Sequence, residues 1–389
     1  MIQRWPTSRE EKWKYTSLGA LSQKTFAPSA PVALDFYPHD WGISFVFVNG
    51  FFNADLSDLH LLPKEVVALS LSQALKTHAD LICLYGSREF DINQYPFAAS
   101  NTASLSDGLF LYVPKQCVIE SPIHLTFYST EQNDFMSCPR NIIVADTESE
   151  ITLIEDYRAN FDVTGYFTNA VTELTTKHCA KIHYVKIQDE HRTATHFSHV
   201  FVNQSAGSHV DTFFVDKGAS LSRSELVVHL SEPDAVCDMK GLVFLEHAGQ
   251  QVDHQVVADH AAPGCSSRMV YKGVLKTQST SVFNGKVLVR PIASETVSHQ
   301  ESHYLMLSPH AEVNTQPQLE IYADNVKCTH GATIGSLAQE AYFYLRSRGM
   351  DAADASAMLM HAFVSDVLSA VSDPAMREYL LMRIDHVEH

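Results

Sequence analysis

Between residues 103 and 335 apolar side chains recur in short runs rather than at helical spacing. GLFLYVP, PIHLTFYS, NIIVAD, EITLIEDY, KIHYVKIQ, HFSHVFVN, HVDTFFVD, SELVVHL, GLVFLEH, RMVYKGVL, SVFNGKVLVRP and QLEIYAD follow one another. Small polar turns part them at intervals of roughly ten residues. A small or polar residue before an aliphatic one marks many strand starts, as at Glu150-Ile151, Lys181-Ile182 and Glu312-Val313. So long a run of strands without helices fits a sandwich, a propeller or a parallel β-helix. Propeller blades would carry a stronger fixed repeat, and a sandwich of this length would be split by a linker; neither is visible. A β-helix tolerates irregular coils of about two dozen residues, because each coil stacks only on its neighbours. The expected fold is therefore mainly β, with a parallel β-helix core over residues 103–335.

The flanks read differently. Residues 1–102 are expected to be α-rich with a small β element. WGISFVFVNGFF (Trp41 to Phe52) reads as a hairpin turning at Asn49-Gly50, and KEVVALSLSQALKTHAD places Val67, Leu71, Ala74 and Leu75 on one helical face. Residues 336–389 are expected to form a C-terminal helical domain. Ser336 and Gln339 read as a capping box, Gly349 as a left-handed stop, Asp351 as the next cap and Asp373-Pro374 as the start of a third helix. Met376, Tyr379, Leu380 and Ile384 are expected to point inward. These helices are expected to hide the open edge of the β-stack. A small helical unit seldom buries its whole apolar stripe, so Tyr344, Leu345, Met358, Leu359 and Phe363 are candidates for a docking surface.

Composition narrows the function. The chain has 389 residues, and its 45% apolar and 19% charged content supports a large core rather than disorder. A net charge of -17 with no basic stripe excludes a nucleic-acid groove or an anionic membrane surface as the expected partner. The opening MIQRWPTSREEKWKYTSL is charged throughout and carries no apolar signal core. Seven cysteines without a CxxC pair argue against a disulfide framework or a self-contained zinc or iron–sulfur site. A cytoplasmic protein with reduced thiols is expected.

Few residues carry chemistry. Gly285-Lys286 lacks the rest of a phosphate loop, so ATP chemistry is expected to come from a partner, and no GxSxG elbow occurs. If Val326 to His330 is extended, Cys328 and His330 share a face, half of a site for a soft or borderline metal. The other histidines, among them His191, His196 and His199, His254 and His260, and His299 and His303, lack the i,i+2 spacing and read as surface or turn residues. Asp253, His254 and Arg268 have no feature that promotes them, and Cys265 beside Pro263-Gly264 reads as an exposed turn cysteine rather than a ligand.

Three segments, SSRMVYKGVLKTQSTSVFNGKVLV (Ser266 to Val289), HAEVNTQPQLEIYADNVKCTHGATIG (His310 to Gly335) and FYLRSRGM (Phe343 to Met350), closely resemble the SufB/SufD family of the Suf iron–sulfur cluster assembly machinery. EKWKYTSL (Glu11 to Leu18) is similar to that family's opening motif. His330-Gly331-Ala332 stands where SufB members carry His-Glu-Ala, which places the chain on the SufD side. SETVSHQESHYLMLSP (Ser294 to Pro309) departs from the family pattern. The resemblance implies a right-handed parallel β-helix and a scaffold role without independent turnover. It also implies pairing with a SufB-like subunit through the β-helix and docking of a SufC-like ABC-type ATPase on the C-terminal helices. His330 then falls on the family's functional histidine and Cys328 on its neighbouring cysteine, near the SufB interface. No cofactor is expected to be held permanently; a transient iron–sulfur cluster at that interface is the expected cargo. Self-association without SufB is a further expectation. A β-helix enzyme acting on acidic polysaccharide and a self-contained histidine-rich metal-binding protein are the competing readings.

Overall fold

About ten residues of alternating side chains, a corner, and about ten more make the unit that the chain stacks. The computed structural model describes residues 4–34, 42–85, 94–130, 134–160, 163–369, 371 and 373–385. The N-terminal part carries β1 (Ala27–Pro28), β2 (Ile43–Val48), β3 (Phe51–Asp58) and β4 (Val67–Ser70), then helices α1 (Leu71–Thr77), α2 (Ala79–Tyr85) and α3 (Pro96–Ala103). The stack is founded by β5 (Leu109–Val113), β6 (Ile123–Ser129), β7 (Phe135–Ser137) and β8 (Arg140–Ala145). It continues through β9 (Glu150–Ala159), β10 (Phe167–Thr176), β11 (Lys181–Asp189), β12 (Thr195–Gln204), β13 (His209–Asp216) and β14 (Leu221–Leu230). Its last part holds β15 (Val236–Leu245), β16 (Gln251–His260), β17 (Ser266–Leu275), β18 (Thr280–Val289), β19 (Val297–Met306), β20 (Glu312–Ile321) and β21 (Lys327–Gly335).

From β8 onward even-numbered strands pair in parallel in sheet A, and from β9 odd-numbered strands pair in parallel in sheet B. The result is a β-solenoid of about seven turns. Thr195 pairs with Leu221, Leu221 with Gln251 and Gln251 with Thr280, so a coil takes about thirty residues, more than the two dozen expected. Val200, Leu226 and Val256 stack in register on the inner side of sheet A, facing Tyr184, Phe214 and Met239 of sheet B in one buried cluster. Each fully buried side chain of this size contributes about 1.5–3 kcal/mol.

The corner before each sheet B strand explains the hidden repeat. Gln116, Glu148, Cys179, Gly207, Asp234, Gly264, Glu295 and Asn325 all have positive φ, one per coil. Each corner N–H from Gln116 to Glu295 reaches the next coil: Cys179 donates to the Ala206 carbonyl and Gly207 to that of Pro233, both at 3.0 Å. The requirement is on backbone rather than residue type, so glycine, acids, amides and cysteine all serve and no sequence repeat shows. Strands β7, β10, β16 and β19 fall outside the runs expected from the sequence. In β10, β16 and β19 the inward apolar positions are interrupted by polar ones, Thr168 and Thr172, His254 and His260, and Ser298, Gln300 and Ser302, all buried between the sheets. β20 runs through Pro317, whose missing N–H an edge strand tolerates.

The N-terminal hairpin forms as expected between β2 and β3, with Asn49 and Gly50 at φ 50° and 84°; Trp41 lies outside the described residues. Residues 67–70 are strand rather than helix, because they pair antiparallel with β5, and the Ser70 hydroxyl then accepts the Gln73 N–H to start α1. Before the hairpin, the EKWKYTSL segment straps the outer side of sheet A. Trp13 lies 3.7 Å from the fully buried Arg223 guanidinium, and the Thr16 hydroxyl donates to Asp253, so Asp253 and Arg223 are strap contacts.

Three C-terminal helices, α4 (Gln339–Ser347), α5 (Ala352–Ser369) and α6 (Pro374–Asp385), follow. The Ser336 capping box does not form: α4 begins after Ala338 without a side-chain cap. The other signals hold, since Gly349 has φ 92°, Asp351 caps Asp354 at 2.8 Å and Asp373 caps Ala375 at 2.9 Å. Met376, Tyr379, Leu380 and Ile384 are buried as expected. They pack on the outer side of sheet B against Ile154, Val185, Ile187, Phe213 and Val215. The helices therefore do not hide the open edge of the stack. Ile154, Ile187 and Val215 form an apolar outer stripe that needs cover more than the strand edge does. The Asp156 carboxylate clasps α6 to the sheet, accepting from Tyr379 at 2.8 Å and Arg383 at 2.6 Å.

Candidate functional site at the open end of the solenoid

β20 and β21 end their sheets with one neighbour each. Every earlier coil is roofed by the next; this one exposes its backbone edges and its inward side chains. Cys328 pairs with Ser298 and His330 with Gln300, both buried between the sheets, so Cys328 and His330 do share the inward side of β21. Beneath them the Gln300 amide donates to the Gly285 carbonyl at 3.0 Å, and Ser302 bridges to Thr315 of sheet A at 2.8 Å. A Cβ on residue 285 would meet Gln300 Nε2 at 2.1 Å, so any larger residue there would push the Gln300 amide from its place. Around the rim, Val297, Ile321, Tyr322 and Ile334 are exposed apolar side chains.

The two candidate ligands differ in environment. His330 is exposed, and its side chain makes no hydrogen bond or ion pair with a described residue. Cys328 is half-buried against Val287, Val289, Ala293 and Leu319. Burial pushes its thiol pKa up despite the Ser298 backbone N–H. Its contacts in the isolated chain are those of a packed side chain, and a metal would have to displace the thiol proton to be held there. Two donors are in any case half of the roughly four that an iron–sulfur cluster takes.

The helical candidates divide too. Tyr344 and Met358 are exposed, joined by Phe343, which the sequence reading passes over and which is 74% exposed. Leu345 and Leu359 are half-buried. Phe363 turns to sheet B, where Lys272 sits 4.6 Å over its ring and bonds its carbonyl at 2.7 Å. No residue of α4 is buried.

Four of the histidines expected at the surface or in turns are not there. His196, His199, His254 and His260 are buried, because strands β12 and β16 carry them into packed positions. His299 and His303 lie four apart on β19, which also shares a face, and their Nε2 atoms flank Glu301 at 2.9 and 3.6 Å. Cys265 is buried rather than exposed, packed beneath its turn. Arg268 is exposed on the outer side of β17. Among the described residues no helix is long and apolar enough to cross a membrane.

Residues 127–363 match the family model described as SUF system FeS cluster assembly, SufBD core domain. The chain belongs to the SufBD family. The SufBD N-terminal region matches residues 42–125. An iron–sulfur cluster assembly SufBD family protein of Synechocystis is 32% identical, over 95% of this chain and 84% of its own length. The iron–sulfur cluster assembly protein SufD of Escherichia coli is 26% identical over 97% of this chain and 88% of its own. That of Bacillus subtilis is 25% identical over 84% and 74%. The SufBD core match runs through the open coil and into α5, so the exposed edge and the exposed helical residues lie within the family region.

Proposed function

We propose that this protein is a scaffold subunit of an iron–sulfur cluster assembly complex, without turnover of its own. In this reading a SufB-like chain caps the open coil and a SufC-like ABC-type ATPase docks on α4 and α5. The observation that carries it is the unroofed coil of β20 and β21. Its unpaired backbone groups and the rim of Val297, Ile321, Tyr322 and Ile334 are what another coil would cover. Capping would also desolvate His330 and bring ligands from the second chain beside it, completing a set that this chain half supplies. The cluster is cargo rather than a resident group. The exposed Phe343, Tyr344 and Met358 support a separate docking surface for the ATPase.

The test is co-expression with a SufB-like and a SufC-like chain. A stable three-component complex is expected, with His330→Ala retaining assembly and losing cluster formation. A chain that stays alone when all three are present would overturn the proposal.

A further inference from the structure

Away from the open end, the outer side of sheet B gathers a second group of ligand-type side chains. His183 pairs with Asp211 across β11 and β13, and Asp211 with Asp238 across β13 and β15. His209 precedes Asp211 by two residues and so shares its face. His209 Nε2 lies 3.3 Å from Asp211 Oδ1 and 3.6 Å from Asp238 Oδ2. All three atoms fall within 4.8 Å of one another. His209 Nε2 is shielded from solvent, yet it makes no well-formed hydrogen bond to either carboxylate.

Those separations match a different geometry. Metal bonds of about 2.0–2.2 Å to nitrogen and oxygen put tetrahedral ligand atoms about 3.3–3.6 Å apart. The other Asp211 oxygen, Oδ2, is engaged by His183 Nδ1 at 2.9 Å, which fixes the direction Oδ1 faces. His183 Nε2 is turned to Glu150 at 3.7 Å, and Lys181 also bonds Glu150, at 3.1 Å. Two cations lie near the group: Lys240, 3.8 Å from Asp211 Oδ1 on a flexible stem that can swing away, and Arg268, which pairs with Asp238 across β15 and β17 and is exposed.

We propose that His209 Nε2, Asp211 Oδ1 and Asp238 Oδ2 bind one divalent first-row transition ion, with the fourth position open to water. One imidazole and two carboxylates without a thiolate suit zinc or ferrous iron rather than copper(I) or a cluster. The site is distinct from Cys328 and His330, with β17 and β19 between β15 and β21 and the opposite side of the sheet presented.

The experiment uses the isolated full-length chain, stripped with chelator and titrated with Zn²⁺ and with Co²⁺. One tight equivalent of Zn²⁺ is expected, and Co²⁺ should give the intense visible bands of a four-coordinate ion. His209→Gln and Asp238→Asn should each weaken that equivalent at least about tenfold. His330→Ala should leave it unchanged, which separates this site from the proposed cluster interface. Lys240→Met, which removes a competing charge, should tighten it. Circular dichroism and the melting temperature verify that the variants fold. Absence of the equivalent, a six-coordinate Co²⁺ spectrum, or an affinity indifferent to His209 and Asp238 would overturn the proposal.

Discussion

Arg383→Ala should release α6 from sheet B while leaving the solenoid intact. The Asp156 side chain is fully buried, and its Oδ2 takes Arg383 at 2.6 Å, Tyr379 at 2.8 Å and Arg158 Nε at 2.8 Å. Its Oδ1 has no hydrogen bond, so the carboxylate depends on this one cluster of donors. Breaking a buried pair by removing one partner costs about 3–5 kcal/mol. The second Arg383 contact, to Asp189 at 2.9 Å, is half-exposed and adds less than about 1 kcal/mol. The loss should appear as local opening, because the clasp joins helix to sheet and not coil to coil. Amide exchange measured by mass spectrometry should quicken in α6 and the end of α5, with β13 to β17 unchanged. Asp156→Asn should act alike, and the double variant should cost less than the sum of the two singles.

The pH dependence of this clasp has a definite sign. Burial alone would raise the Asp156 pKa, but Arg383 and Arg158 hold it well below its ordinary 3.8. A depressed carboxyl stabilises fully above that ordinary value and loses its contribution as pH falls toward the folded one. Protection of α6 should therefore be flat from pH 8 to about 5 and fail only in stronger acid. Exchange that is unchanged in Arg383→Ala, or that rises equally throughout the chain, would refute the reasoning.

Other expectations follow from single sites. Burial pushes His199 and His260 down to about 4, so the unfolded chain binds more protons below about pH 6.5. Stability should fall between pH 6.5 and 4 by up to about 3 kcal/mol per histidine, read from urea midpoints, and His260→Gln should flatten the slope. Gly285→Ala should cost about 1–3 kcal/mol, because its Cβ would meet Gln300 Nε2 at 2.1 Å and Met269 Sδ at 2.8 Å. The double change Phe343→Ser and Tyr344→Ser should weaken ATPase capture at least about tenfold without moving the melting temperature, since both side chains are exposed.

Strands such as β11 and β13 were legible because both faces are covered and apolar residues crowd into one short run, Val185 and Ile187 outward beside Ile182 inward, Phe213 and Val215 outward beside Val210 and Phe214 inward. Those with buried polar faces were not: His254 in β16 is held by Asp216 at 2.8 Å, a contact from another coil that no local pattern announces. The hinge from strand to helix at residues 67–71 likewise depended on pairing with β5. Alternation was enough to put Cys328 and His330 on one face. It could not tell that one is packed and the other exposed, because that follows from Val287, Val289 and Leu319 in neighbouring strands. The group at His209, Asp211 and Asp238 was invisible for the same reason: Asp238 joins it only through the coil register.

The role of the open coil is tested most directly by amide exchange over Glu312–Ile321 and Lys327–Gly335, measured in the isolated chain and again in the co-purified complex. If a SufB-like chain continues the stack, the unpaired amides of both strands should become strongly protected, and those of β9 to β17 should not change. Exchange in β20 and β21 that is the same with and without the partner would contradict the account.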